Sequence, residues 1–183
     1  MSQISITSDP ATSDSQYPAD MLPVTILSGG ARLFGVMYRP QGAGPHPALL
    51  LLHGFPGNER NFDLAQFFRR AGWSVLLFHY RGAWGSDGDF TFQHVLEDTA
   101  AAVAWLRSDA ARTEYRVDAS RLAVVGHSMG GWAALMTAAA DPSLDTVASI
   151  AGWNIGMDMS MVDEGDVPRQ VMLPFFDESF HPA

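Results

Sequence analysis

Residues 48–52 are apolar without a break, and proline and glycine flank them on either side. A run this short and uniform predicts a strand buried on both faces. Residues 73–78 read as another buried strand, and residues 121–125 and 146–151 as two further strands. Between these runs the period changes. Residues 58–71 place Phe62, Leu64, Ala65, Phe67 and Phe68 at helical spacing and stop at Gly72. Residues 92–107 carry Val95, Thr99, Ala102, Val103 and Leu106 three and four apart, which marks one buried helical stripe. Residues 132–140 predict a third helix. Ahead of this series, residues 22–28 and 32–38 read as two strands of a hairpin joined through Gly29-Gly30. Strand alternating with helix from residue 48 onward calls for an α/β fold, a mainly parallel sheet with helices on both faces.

The chain has 183 residues, which suits one folded core. Residues 1–20 are rich in Ser, Thr, Asp and Pro and read as a flexible leader. The core spans 21–154, and 155–183 reads as the start of a cap or an incomplete C-terminal segment. Apolar content of 47% against 17% charged is enough for a real core. The net charge of −9 argues against nucleic acid or an anionic membrane as partner. No run is long enough to span a membrane, and the N-terminus lacks a signal-peptide pattern, so a cytoplasmic protein is expected. With no cysteine there is neither disulfide nor thiolate chemistry.

The chemistry sits at Gly126-His127-Ser128-Met129-Gly130. The segment follows the strand of residues 121–125 and opens the helix of residues 132–140. Gly-x-Ser-x-Gly between a strand and a helix is a nucleophile elbow. Its turn is tight, so the positions two before and two after the serine must lack bulk. The turn pushes the Ser128 hydroxyl out and aims the first helical N–H groups at the same spot.

Three segments together resemble the alpha/beta-hydrolase superfamily over residues 24–154. They are His53-Gly54-Phe55-Pro56-Gly57, Tyr80-Arg81-Gly82-Ala83-Trp84-Gly85-Ser86 and the elbow, in that order. The first is similar to the family's His-Gly oxyanion loop. The second is similar to its Arg-Gly-x-Gly-x-Ser loop, with one extra residue. The Tyr-Arg-Gly loop and the early strands resemble the peptidase-like and dienelactone-hydrolase-like branches. The resemblance implies the alpha/beta-hydrolase fold and a serine hydrolase of carboxylic esters or amides. Ser128 would be the nucleophile, with the N–H groups of Phe55 and Met129 as oxyanion donors. It implies no cofactor and no metal, and a small-molecule ester or amide as substrate. Arg81 is expected to pin its own glycine-rich loop.

The family's chain order places an acid and then a histidine after the serine. Five of the six histidines precede Ser128 or adjoin it. Only His181 follows, four residues after Asp177. Asp177 and His181 are the acid and base candidates, although Pro174 weakens the strand that would carry them. The 55 residues after Ser128 hold one convincing strand, so the leading reading is a chain that lacks the last strands of the family fold. It would be a C-terminally truncated hydrolase of reduced activity, or a non-catalytic binding module. In that case the strand of residues 146–151 is an open sheet edge through which a homo-oligomer can form.

Overall fold

The computed structural model describes residues 7–156. Six strands form one mixed sheet in the order β1-β2-β4-β3-β5-β6. The strands are β1 (Asp20–Ser28), β2 (Ala31–Arg39), β3 (His46–Leu52), β4 (Ser74–Phe78), β5 (Val117–His127) and β6 (Thr146–Ile150). The helices are α1 (Phe62–Arg70), α2 (Phe92–Leu106), α3 (Asp109–Glu114) and α4 (Met129–Ala140). β4, β3, β5 and β6 run parallel, while β1 and β2 add to β4 in antiparallel fashion.

Two separate cores follow from the period of the strand. In β3, Leu50 and Leu52 face the core shared with α2 and α4, whereas Leu49 and Leu51 face α1. In β4, Leu76 and Phe78 take the first side and Val75 and Leu77 the second. All eight side chains are buried. Successive side chains point to opposite faces, so only an unbroken apolar run can fill both.

The α2 stripe packs as its spacing predicts. Val95, Thr99, Ala102, Val103 and Leu106 are buried, and so is Asp98 among them. Thr91 caps this helix, its hydroxyl accepting the His94 N–H at 2.9 Å. The hairpin turns on Gly29 and Gly30, both at positive φ, as a two-residue turn matched to strand twist requires.

Other boundaries differ from the sequence reading. Helix α1 begins at Phe62 rather than at residue 58, because Asn61 sits in the left-handed region at φ 55° and cannot continue a helix. Strand β5 starts at Val117, five residues before its apolar run. Its register against β3 jumps from Pro47↔Asp118 to Ala48↔Leu122. Helix α3 was not foreseen; it buries only Ala111 and so leaves almost no periodic signal.

The described part of the leader lies along the core. Asp14 accepts the N–H groups of Gln16 and Tyr17, each at 2.9 Å. The Tyr17 carbonyl accepts the Gly42 N–H at 2.9 Å, and Asp9 ion-pairs with Arg69 and Arg70. A cavity of about 1050 Å³ lies between this segment and the C-terminal end of α1, lined by Asp9, Gln66 and Arg69 among others. No residue of the elbow lines it. Among the described residues no helix is long and apolar enough to cross a membrane.

Candidate active site

Strand β5 ends at His127 and helix α4 begins at Met129, so Ser128 is the whole connection. Its backbone is at φ 55°, ψ −118°. A non-glycine residue there is strained by roughly 1–3 kcal/mol and needs outside support. Three hydrogen bonds supply it. Ser128 N–H donates to Ile150 O at 3.0 Å, and Ser128 O accepts from Trp132 N–H at 3.1 Å and Trp153 N–H at 3.0 Å. The stretch after β6 is thus stitched to the elbow. Sequence patterning had no means of finding Trp153 in this role, because the bond runs through its backbone.

The glycines of the elbow are required by contact. A Cβ on Gly126 would lie 1.9 Å from Gly130 O, and one on Gly130 would lie 2.4 Å from Leu52 O. Gly131 belongs with them, since a Cβ there would meet Ser149 Oγ at 2.5 Å. Backbone therefore packs on backbone where β5, β3 and α4 meet.

The loop after β3 lies directly against the serine. A Cβ on Gly54 would sit 2.9 Å from Ser128 Cβ and 3.4 Å from Ser128 Oγ. His53 is 2% exposed, and its Nδ1 is 2.8 Å from Gly54 O. A carbonyl only accepts, so Nδ1 carries the proton and Nε2 is bare. Burial pushes the His53 pKa down to about 3, so the ring is neutral. Among the described residues its Nε2 has no hydrogen-bond partner. The Gly54–Phe55 peptide is trans and planar, so Phe55 N–H points opposite to the carbonyl that His53 holds. Met129 opens α4, and its N–H has no carbonyl one turn back to accept it.

The loop after β4 closes the other side. Asp98, fully buried on α2, accepts Arg81 N–H at 2.7 Å and Arg81 Nε–H at 2.6 Å. Glu97 takes the Arg81 Nη2 at 2.6 Å. Arg81 thus pins its own loop, with α2 as the anchor. A lone acid in the stripe between Val95 and Ala102 was the available sequence signal for Asp98. Tyr80 donates to His53 O at 3.2 Å, and its burial raises the phenol pKa. Trp84 Nε1–H donates to Pro56 O at 2.9 Å.

Aromatic rings form a wall beside the elbow. Phe55 packs on Phe90 at 5.5 Å and on Phe92 at 6.3 Å, and Phe92 packs on Trp153 at 5.6 Å. Of the candidate site residues, Ser128, Met129 and Phe55 come together here. Asp177 and His181 lie outside the described residues. Among the described residues no side chain is hydrogen-bonded to Ser128 Oγ. His127 Nδ1 is buried without a partner among them. His79, between the two loops, is held neutral by burial, its pKa lowered to about 4.

The profile of the X-Pro dipeptidyl-peptidase (S15) family matches residues 29–181. The chain is 31% identical over 150 residues to the quorum-quenching protein AidA of Acinetobacter baumannii, covering 79% of this chain and 48% of that protein. It spans about half the length of the curated relatives it matches. The fold matches that of the alpha/beta hydrolase GrgF from Penicillium sp. sh18 with a TM-score of 0.62. Identity there is 24%, covering 87% of this chain and 56% of that one. It also matches a putative dienelactone hydrolase from Klebsiella pneumoniae at a TM-score of 0.60. Identity there is 22%, covering 73% of this chain and 60% of that one.

Proposed function

The chain belongs to the X-Pro dipeptidyl-peptidase (S15) family of alpha/beta-hydrolases, and from that membership we propose that it is a serine hydrolase acting through an acyl-enzyme on Ser128. The carrying observation is the strained Ser128 backbone at φ 55° with Gly54 packed against its side chain. That strain is held by the first helical bond of α4 and by two further bonds, Ser128 N–H to Ile150 O and Trp153 N–H to Ser128 O.

In this reading Ser128 Oγ attacks the carbonyl carbon of an ester or amide while its proton passes to a base. The carbonyl π electrons move onto oxygen, which the N–H groups of Met129 and Phe55 receive. Losing one such donor costs about 3–4 kcal/mol of transition-state stabilisation. Collapse expels the alcohol or amine, and water then releases the acid. Within this chain His181 and Asp177 are the candidates for the base and its orienting carboxylate, and without an acid and base in place turnover is impaired. The neutral His53 does no proton transfer; its hydrogen bond fixes the Gly54–Phe55 peptide. The wall of Phe55, Phe92 and Trp153 favours an apolar acyl or alcohol group.

The competing reading is a hydrolase fold that binds without turnover. It is the reading that holds if no imidazole of the chain reaches Ser128 Oγ. Fluorophosphonate labelling of the whole chain decides, with Ser128→Ala as control. Labelling that depends on Ser128 supports the hydrolase, and loss of that labelling in His181→Ala supports the assigned base. A folded chain that does not label has an intact elbow without a working base, and is a hydrolase fragment or a binding module.

A further inference from the structure

The loop of residues 53–57 carries one of the two oxyanion donors, yet it belongs to no helix or strand. Its geometry must come from elsewhere. Three of its carbonyls are claimed by side-chain donors. His53 holds Gly54 O, Trp84 Nε1–H holds Pro56 O at 2.9 Å, and Arg60 Nε–H holds Gly57 O at 2.9 Å. The last two donors are themselves joined, because the Arg60 guanidinium carbon stands 4.1 Å from the centre of the Trp84 ring. A flat cation stacked on indole is the stronger form of this contact. The ring also fits against bare backbone. Gly57 is at φ +94°, and a Cβ there would lie 2.7 Å from Trp84 Nε1.

We propose that Trp84 and Arg60 are positioning residues, a two-point clamp that holds the oxyanion loop in its reactive geometry. The proposal rests on the serine-hydrolase reading of Ser128. Neither residue reaches the reacting atoms; Trp84 acts through the carbonyl of Pro56, next to Phe55, and Arg60 through that of Gly57, one residue further on. The clamp has a fixed footing. Trp84 lies three residues after Arg81, which Asp98 ties to α2. A mechanical line therefore runs from Asp98 through Arg81 and Trp84 to Pro56, and from there to the Phe55 N–H. The consequence for the reaction is specific. A loosened loop binds substrate as before and stabilises the oxyanion less, so the rate of the chemical step falls while affinity holds.

Trp84→Phe tests this on the whole chain, because it keeps a ring under Arg60 and removes the N–H together with part of the indole. Two readouts separate the clamp from the reading beneath it. One is amide hydrogen exchange in the peptide covering residues 54–58, with the peptide covering 126–131 as reference. The other is fluorophosphonate labelling resolved into a maximal rate and a half-saturating concentration. Loop exchange is expected to rise about tenfold, as for loss of one hydrogen bond, with the elbow unchanged. The maximal labelling rate is expected to fall about 10- to 100-fold, as for a small misplacement, with half-saturation within about twofold. Arg60→Lys, which keeps the charge and loses the flat stack, should shift both readouts the same way by less. It also serves if Trp84→Phe fails to fold. Unchanged loop exchange overturns the clamp whatever the labelling does. Faster exchange with an unchanged labelling rate overturns its positioning role. A wild-type chain that exchanges slowly in the loop and never labels Ser128 overturns the hydrolase reading and, with it, the positioning role.

Discussion

Asp98→Ala is the substitution whose cost follows most directly from geometry. The Asp98 carboxylate is fully buried and takes two hydrogen bonds from Arg81, one from the backbone and one from the guanidinium. The Arg81 side chain is 8% exposed. Removing the acid leaves a buried cation with one partner fewer and a buried N–H with none. Breaking a buried pair in this way costs about 3–5 kcal/mol. Glu97 still holds one guanidinium nitrogen, which places Asp98→Ala at the lower end, about 3 kcal/mol. For a chain of this size that is a fall in Tm of about 6–12 °C. Asp98→Asn keeps one acceptor and should lose about 1–2 kcal/mol. Replacing both partners with Asp98→Leu and Arg81→Met should cost less than the two single changes added together, because no charge is then stranded. Urea unfolding followed by circular dichroism measures the wild type and each of these variants. A loss below about 1 kcal/mol for Asp98→Ala would refute the reasoning, since it would mean that water already reaches the guanidinium.

Stability should also depend on pH through two histidines. Burial lowers the pKa of His53 to about 3 and of His79 to about 4, against about 6.5 in the unfolded chain. Below pH 6.5 the unfolded chain takes up protons that the folded one refuses. Stability is therefore full above pH 6.5 and is lost as pH falls towards 4, by up to about 1.4 kcal/mol per unit for each histidine. Urea midpoints equal at pH 7 and pH 5 would contradict this. Gly126→Ala should yield no native protein, because its Cβ would enter Gly130 O at 1.9 Å; a soluble variant with wild-type Tm would count against the packing described. Thr91→Ala should cost about 1 kcal/mol through the lost cap of α2, and Thr91→Ser should restore most of it in the same unfolding assay.

What the chain reveals before folding is what local physics writes into it. The strands of residues 48–52 and 73–78 are legible because burial on both faces leaves no polar position but Ser74. Helix α2 is legible because one face is buried along its length. The Ser128 elbow is legible because its turn admits only glycine at two fixed offsets. The early part of β5 is not, because Asp118 and Ser120 lie outside the predicted strand and enter it where the register against β3 shifts. Arg60 looked like any surface arginine at the start of a helix, and Trp84 like a residue of a glycine-rich loop. Their meeting spans 24 positions, and no period in the chain encodes it. Asp98 stood in plain sight on a buried stripe, where an acid demands a cation. Naming Arg81 as that cation needed the fold.

The elbow has a consequence for how such a protein can change. The ground under Ser128 is glycine and carbonyl, with Gly126, Gly130 and Gly131 seated on backbone or on Ser149. Almost no side chain is available there for variation to act on. The aromatic wall is the opposite case. Phe55, Phe90, Phe92 and Trp153 lie outside the elbow and touch one another in a series of ring contacts that ends at Phe92–Trp153. A mutational history can therefore reshape the surface beside the elbow one ring at a time, while the Ser128 oxygen stays where it is.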